Sequence, residues 1–571
     1  MKKVIALLLA VIMVLAMATG CGSTTTSGDA VESAASEASK ADVSVNEAAP
    51  AEEAAPAEEA ADSEEATSEV ETSGVTYPLE EEVTLTALGA IYQPRTADVI
   101  TTWTESLVYV EAAKATGVTI DMTCVASDAQ QEQTQLTIAS GDLPDLMTSL
   151  DMYYQVSELI DQEIIMDLAP YLDEYAPDYM AAIREGGYEK DIYTDDGASP
   201  CTYFVSEGVP NSGMYIRKDL LDEAGLDIPV TYEDYDEVMA AFKDMGVEEP
   251  FAMDATGVGA SDVYNAGLGI ALYSHPIMGS GNDGFYQVDG VVKFGYLEDA
   301  FDTYITQMAD WYSKGYINKD YITDNENNNS EEFTARVTSG SIATFTGGRT
   351  LYDTYNEGGQ AENPDFELIA IPSPRLNEGD EIHLAPYRNT SIQSSFYATT
   401  ECSNVEALLA WTNYFFTEEG HMLANYGVEG MTYEMVDGKP VYTDMITNNA
   451  DGLTLTQTTY IYLSSACGVI DNSRENQWYS ESFAEAAEIW GEGVDNAYKI
   501  PGSTKMNAEE SAAYSSTFND IQTYITEMVA KLINGSEPIE NVDAFQQTLV
   551  DMGIEDCIDL WQSAVDRYYA R

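Results

Sequence analysis

The sequence predicts an α/β protein in which helices pack on largely parallel sheets. Three observations carry this reading. Between 83 and 147 the chain reads strand, helix, strand, helix, strand, the order that builds a parallel sheet with helical crossovers. From 213 onward short strands again alternate with amphipathic helices. The chain has 571 residues, 44% of them apolar, which at roughly 150 residues per domain suits three or four core-bearing units.

The N-terminal elements come first. Met1-Lys2-Lys3 is a short positive lead, and residues 4–17 form an unbroken apolar run of 14. That run is too short to span a bilayer comfortably and suits a signal-peptide core. Ala18-Thr19-Gly20-Cys21 follows and resembles a bacterial lipobox, with Ala18 where Leu is usual. Residues 1–20 are therefore read as a signal peptide and Cys21 as the lipidation site. A plain secretory signal with an incidental cysteine is the alternative. Residues 21–74 are read as the lipidated cysteine and a disordered acidic tether. Positions 22–74 are mostly Ala, Glu, Ser, Thr and Pro, with 14 acids against Lys40, and Ala-Pro-Ala-Glu-Glu-Ala occurs at 49–54 and again at 55–60. Low hydrophobicity with self-repelling charge cannot build a core.

In the body, 83–88 reads as a buried strand and 103–114 as a helix ended by Gly117. In 118–125 Val118, Ile120, Met122 and Cys124 alternate to one face, a second strand. A helix over 130–139 breaks at Ser140-Gly141-Asp142-Leu143-Pro144, and 145–147 is a short strand. Residues 214–216 are a strand and 218–224 a helix capped by Gly225. Thr231 with Asp234 three residues later is a capping box. The helix it opens carries Tyr235, Val238, Met239, Phe242 and Met245 on one face. A helix over 333–339 leads to a strand over 341–346 and then Gly347-Gly348. Asn404 caps a helix with Val405, Leu408, Leu409, Trp411 and Phe415, in which Trp411 reads as core. Near the end Phe518, Ile521, Ile525, Met528 and Leu532 share a face, and Asn534-Gly535 stops that helix.

Composition excludes several functions. There are 99 acids against 24 Lys and Arg, a net charge of −75. A nucleic-acid partner needs a cationic surface, and so does electrostatic attraction to anionic lipid. Histidines number three, His275, His383 and His421, so short-range His-pair metal motifs are missing. Cys124, Cys201, Cys402, Cys467 and Cys557 are widely spaced with no C-x-x-C and read as buried small hydrophobes. There is no G-x-S-x-G, H-E-x-x-H or P-loop. Neither a catalytic group nor a cofactor nor a metal is expected.

Several segments in order carry a resemblance. They are Ser140-Gly141-Asp142-Leu143-Pro144-Asp145, Tyr215-Ile216-Arg217-Lys218-Asp219-Leu220-Leu221-Asp222-Glu223-Ala224-Gly225-Leu226, and Pro229-Val230-Thr231. Thr338-Ser339-Gly340, Thr417-Glu418-Glu419-Gly420, Tyr426-Gly427-Val428-Glu429-Gly430-Met431-Thr432-Tyr433 and the tail from Met552-Gly553-Ile554 to Asp566-Arg567-Tyr568 join them. Each alone is weak, but their order and spacing are specific. The chain resembles family 1 extracellular solute-binding proteins, in the lipoprotein branch that serves sugar ABC transporters, over nearly all of 75–571. The resemblance implies a two-lobed periplasmic-binding-protein-like (type II) fold with a hinge and an interlobe cleft. Lobe one would take 75–208 and 373–445, and lobe two 209–372 and 446–571, with crossings near 210, 373 and 445. It implies a monomer anchored through lipid on the extracellular side of the cell membrane, delivering a carbohydrate to ABC permease subunits. Many relatives carry a calcium loop just after the helix equivalent to 231–245. Here Lys243-Asp244-Met245-Gly246-Val247-Glu248-Glu249-Pro250 lacks alternating oxygen ligands, so no calcium is expected there. The oxygen-rich 324–329 has Asn329 and Ala335 where a calcium loop needs Gly and Glu, and reads as a polar loop.

A sugar site needs flat aromatic surface and a few fixed donors and acceptors. Candidate contacts follow from position. Tyr92 and Gln93 follow the first strand; Asp151, Tyr153 and Tyr154 follow the third. Gly348 and Arg349 end a later strand, Arg388 and Asn389 lie beyond the second crossing, and Trp478 sits in a polar run. Arg217 is read instead as a structural ion-pair partner. Two alternatives stay open. One is a peptide-binding protein of the same fold. The other is a secreted glycoside hydrolase, which needs only two suitably spaced carboxylates among the 85 acids of 75–571.

Overall fold

A computed structural model describes residues 74–91, 99–206, 208–210, 212–253, 263–272, 283–323, 330–385, 391–465 and 467–571. The chain divides into units 1–67 and 68–571, and every described residue belongs to the second. Two α/β lobes make up that unit.

The first lobe is built on β1 (Val83–Ile91), β2 (Val118–Ala126) and β3 (Leu146–Met147). β1 runs parallel to both, from Val83 opposite Val118 to Ile91 opposite Ala126, and Ala87 opposite Leu146. The helix Leu107–Thr116 makes the first crossover and stops at Gly117, whose φ of 75° is one a side chain rarely adopts. Its predicted start at Trp103 is a separate 3-10 turn, Trp103–Glu105, split off where Ser106 takes extended backbone. The helix Gln130–Ser140 makes the second. Val118, Ile120 and Met122 are buried as their alternation predicts, whereas Cys124 is only half-buried. Asp145, from the Ser-Gly-Asp-Leu-Pro-Asp segment, ties the lobe together. Its Oδ2 accepts from Thr86 N at 2.8 Å and Thr86 Oγ1 at 2.6 Å, and its Oδ1 accepts from Ser403 N at 2.6 Å.

The chain leaves through β4 (Tyr203–Ser206) and enters β5 (Ser212–Arg217), β6 (Glu249–Phe251), the hairpin β7 (Phe285–Val288) and β8 (Val291–Phe294), β9 (Ile342–Gly348) and β10 (Leu368–Ile371). The second sheet has the order β10–β5–β9–β6, and β5 is antiparallel to both neighbours. This sheet is therefore mixed. A crossover helix fixes parallel direction, but β5 arrives directly from the other lobe with no such crossover. The capping box at Thr231 is present, and the helix it opens, Tyr232–Asp244, buries Tyr235, Val238, Met239 and Phe242. Arg217 is buried, 2.5 Å from Asp219 and 4.0 Å over the Phe366 ring. In the 243–250 segment Glu249 is buried and pairs with Arg336 at 2.5 Å, so a cation already sits against that carboxylate.

β11 (Ser391–Ser394) brings the chain back to β12 (Tyr397–Ala398), which completes the first sheet in the order β12–β3–β1–β2. The helix Val405–Tyr414 follows, its Asn404 cap accepting from Ala407 N at 3.0 Å, and Trp411 is core at 1% exposure. A hairpin of β13 (Tyr433–Val436) and β14 (Lys439–Tyr442) precedes β15 (Val469–Ile470). Strands β11, β4 and β15 form one three-stranded sheet between the lobes.

Burial locates the crossings. One core joins Leu85, Ile120, Tyr179, Trp411 and Cys467; another joins Met214, Phe242, Trp311, Ile371, Leu384 and Ile521. Leu384 still belongs to the second core and Phe396 to the first, so the second crossing falls at β11 rather than near 373. Ile446 and Leu463 pack with Tyr426 and Tyr442, so the third falls at β15 rather than near 445. The expected boundaries came from the family resemblance, whereas the side chains decide which core a segment joins. The C-terminal helices Ala508–Asn534 and Ile554–Ala570 close the second core, with Phe518, Ile521, Ile525 and Leu532 buried. Cys124, Cys201, Cys402, Cys467 and Cys557 are all unpaired thiols.

Candidate functional site

Six of the site candidates are described: Asp151, Tyr153, Tyr154, Gly348, Arg349 and Trp478. Tyr92, Gln93, Arg388 and Asn389 lie outside the described residues, as does the oxygen-rich segment 324–329.

On the first lobe, the turn after β3 is the 3-10 segment Leu150–Met152. It presents Asp151, exposed, whose Oδ1 accepts from Ser394 Oγ of β11 at 3.0 Å. Tyr153 donates to Gln130 Oε1 at 3.4 Å and is half-buried. Tyr154 packs beside Met147 and Leu150, where burial pushes its hydroxyl above the ordinary phenol value. The loop thus offers one exposed carboxylate and two phenol edges beside a crossing strand.

The strap Asn472–Gln477 follows β15 and touches both lobes. Asn472 donates to Ser206 Oγ of β4 at 3.2 Å. Arg474 donates to the carbonyls of Ala424 and Asn425 at 3.2 and 3.0 Å on the first lobe. Glu475 reaches the second lobe, 3.3 Å from Arg349 Nη2. Trp478 is half-buried, one face against Tyr442 with ring centroids 4.9 Å apart.

Arg349 is not an open donor. It is 3% exposed, and its guanidinium lies 4.0 Å over the Phe483 ring, itself stacked on Tyr479 at 4.1 Å. Burial lowers the Arg349 pKa while Glu475 raises it; burial pushes the Glu475 carboxyl up against the pull of Arg349 and Arg474. The Gly347-Gly348 end of β9 is buried too, facing Gly213 and Ser212 of β5. A side chain on Gly213 would meet the Trp490 ring at 2.2 Å, so that glycine makes room for packing. The Arg349–Glu475 pairing spans 126 residues, and no sequence signal links the two. Glu475 did lie in the polar run that drew attention to Trp478.

The lobes meet at a second place. Asp195 takes Arg567 Nε and Arg571 Nη2, each at 2.7 Å, and Arg567 also holds Glu510 at 2.5 Å. Gln155 donates to Ser511 Oγ at 3.0 Å. Burial raises the Asp195 pKa, but the two guanidiniums outweigh it and hold the carboxyl below its ordinary value.

Two α/β lobes joined by three crossing strands make the two-lobed fold of the periplasmic binding-protein type. Residues 98–422 match the family model of the bacterial extracellular solute-binding proteins, and the chain belongs to that family. It is 24% identical over 360 residues to lipoprotein LipO of Bacillus subtilis (strain 168), covering 59% of this chain and 65% of that protein. The chain therefore spans just under two thirds of LipO's length. It is 23% identical over 540 residues to the fructooligosaccharide ABC transporter substrate-binding protein FusA of Streptococcus pneumoniae, covering 88% of this chain and 94% of that one. Among solved structures, the alginate-binding protein AlgQ2 is 23% identical with a TM-score of 0.63, over 86% of this chain and all of that one. An HMO-binding, ABC-transporter-associated solute-binding protein from Bifidobacterium longum infantis is 18% identical with a TM-score of 0.67, over 85% of this chain and 99% of that one. Among the described residues no helix is long and apolar enough to cross a membrane.

Proposed function

We propose that this protein captures a carbohydrate, of oligosaccharide size, and delivers it to the permease subunits of an ABC transporter, held at the outer face of the membrane through lipid on Cys21. The observation that carries the reading is the similarity along nearly the full length to FusA, whose name gives it fructooligosaccharide and an ABC transporter. AlgQ2, by name an alginate binder, has the same fold. The chemistry of the crossing region agrees with it. A saccharide needs rings to stack on and hydroxyl partners, and Trp478, Tyr153, Tyr154 and Asp151 supply both. Tyr92, Gln93, Arg388, Asn389 and Gly348 complete the proposed contacts, and the buried Arg349 would act by holding Glu475. Capture needs no catalytic group; lobe closure draws its free energy from contacts made only in the closed state.

The test is a thermal-shift screen of the mature protein against a panel of oligosaccharides and peptides, with each glycan re-examined by chromatography afterwards. A ligand at 100 times its Kd adds about 2.7 kcal/mol, which a melting curve resolves. A shift with an intact oligosaccharide is the expected result. A shift with peptides alone would replace the substrate class, and cleaved glycan would replace transport with hydrolysis. Trp478→Ala should weaken saccharide binding by roughly 10-fold or more while the free protein, though destabilised by the lost packing on Tyr442, still melts cooperatively well above the assay temperature. Unchanged affinity would remove Trp478 from the site.

A further inference from the structure

Sequence spacing gave no reason to join His383 to Asp495, yet the fold brings them together. His383 Nδ1 lies 2.9 Å from both carboxylate oxygens of Asp495. Glu381 adds a third donor. One ligand atom from each of the three lies within 4.8 Å of the others, and among the described residues no other group of His, Cys, Asp and Glu meets that condition.

The backbone holds these donors in place. Ile382 pairs with Val494 as an isolated parallel bridge. Ile382 N donates to Gly493 O at 2.8 Å, Asp495 N to Ile382 O at 3.1 Å, and Tyr498 N to His383 O at 3.1 Å. Ala385 N donates to Asn496 Oδ1 at 3.0 Å. Ile382 points inward at 2% exposure, packed with Ala266, Ala385 and Val494. In extended chain, neighbours of an inward residue point outward together. That alternation puts Glu381 and His383 on the same open side as Asp495. Asp495 Oδ1 is fixed further by Ala497 N at 2.8 Å, and the His383 ring rests against Tyr498, centroids 4.6 Å apart.

The donor set is one imidazole nitrogen and two carboxylates. Calcium and magnesium prefer oxygen alone, whereas zinc and its neighbours accept imidazole with carboxylate and complete their shell with water. Zinc bonds to such donors are about 2.0–2.2 Å, so ligand atoms around one ion stand roughly 3–4 Å apart. The three side chains are already near that spacing. We propose that Glu381, His383 and Asp495 bind a transition-metal dication, Zn2+ being the best match. The ion would clip the segment leading into crossing strand β11 to the loop 493–498 of the second lobe. This is a site separate from the saccharide reading and does not depend on it.

The experiment is calorimetric titration of the chelator-treated mature protein with Zn2+, in a large excess of Ca2+ to occupy sites made of carboxylates alone. His383→Gln and Asp495→Asn are titrated in parallel, with melting curves to confirm that both fold. The expected result is one saturable Zn2+ per chain. Each variant should lose more than the 10–100-fold that losing a mere supporting partner costs. Diffraction at the zinc absorption edge should then place one peak among the three side chains. No saturable binding in the presence of Ca2+, or binding by both variants as tight as by the native protein, would overturn the proposal and leave a surface His–Asp ion pair. No sugar enters the assay, so either outcome leaves the transport reading untouched.

Discussion

Asp145→Asn is the sharpest test of how the first lobe is held together. The carboxylate sits where β3 begins and is 9% exposed. One oxygen accepts from the backbone and hydroxyl of Thr86 on β1; the other accepts from Ser403 N, 258 residues away. An asparagine can keep one acceptor, but its amide then turns N–H groups toward a donor on the other side. A buried donor left unsatisfied costs about 1–3 kcal/mol, and losing the charge from the remaining bonds adds about 1. The expected loss near neutral pH is therefore about 2–4 kcal/mol, read from the midpoint of urea unfolding. The pH dependence adds a second constraint. Burial raises the Asp145 pKa, but the hydrogen bonds from Thr86 and Ser403 outweigh it, so the folded value lies below the ordinary one. A depressed carboxylate contributes stability above its unfolded pKa, and that stability is lost as pH falls through the folded value. Asparagine has no such titration. The gap between native protein and variant should therefore be full at neutral pH and shrink steadily as the pH drops below roughly 4. A loss under roughly 0.5 kcal/mol, or a gap that does not change with pH, would refute the account.

Three further perturbations probe the junction between the lobes. Arg349→Ala removes a guanidinium stacked on Phe483 and paired with Glu475. Because Glu475 is 30% exposed, the loss should fall below the usual 3–5 kcal/mol for a broken buried pair, at roughly 2–3, measured by urea unfolding. It should also raise the already elevated Glu475 pKa. The cost of the unpaired carboxylate is present above its folded pKa and disappears as pH falls through it, so the variant should recover part of its deficit in mild acid. Gly213→Ala puts a methyl group 2.2 Å from the Trp490 ring, and overpacking of this kind costs about 1–3 kcal/mol by thermal or urea unfolding. Asp195→Asn releases Arg567 and Arg571 from a shared, partly exposed carboxylate, so stability should move by less than about 1 kcal/mol. If that contact holds the lobes together, small-angle scattering of the variant should show a wider spread of lobe separations.

Local structure was legible wherever the signal is local. Gly117, Gly141 and Gly225 end helices in the left-handed conformation as their positions suggested, because only glycine takes it without cost. The Thr231 box and the Asn404 cap form because their partners lie three residues away. The stripe on Tyr232–Asp244 buries as its spacing requires, and Arg217 pairs with an acid two residues on. The candidate site was less legible. Asp151 reaches Ser394 of β11 and Trp478 packs on Tyr442, while Arg349, a candidate contact at the end of β9, is walled in by Phe483 and Tyr479.

By itself the sequence determined the α/β alternation, the helix caps and core stripes, and the net acidity of the chain. All of these rest on residue type and on spacings of a few positions. Only the tertiary structure decided where the chain changes lobes, that β5 runs against both its neighbours, and that Arg349 meets Glu475 and His383 meets Asp495. Those outcomes depend on which side chains share a core, and contacts between residues more than a hundred positions apart leave no period in the sequence to read.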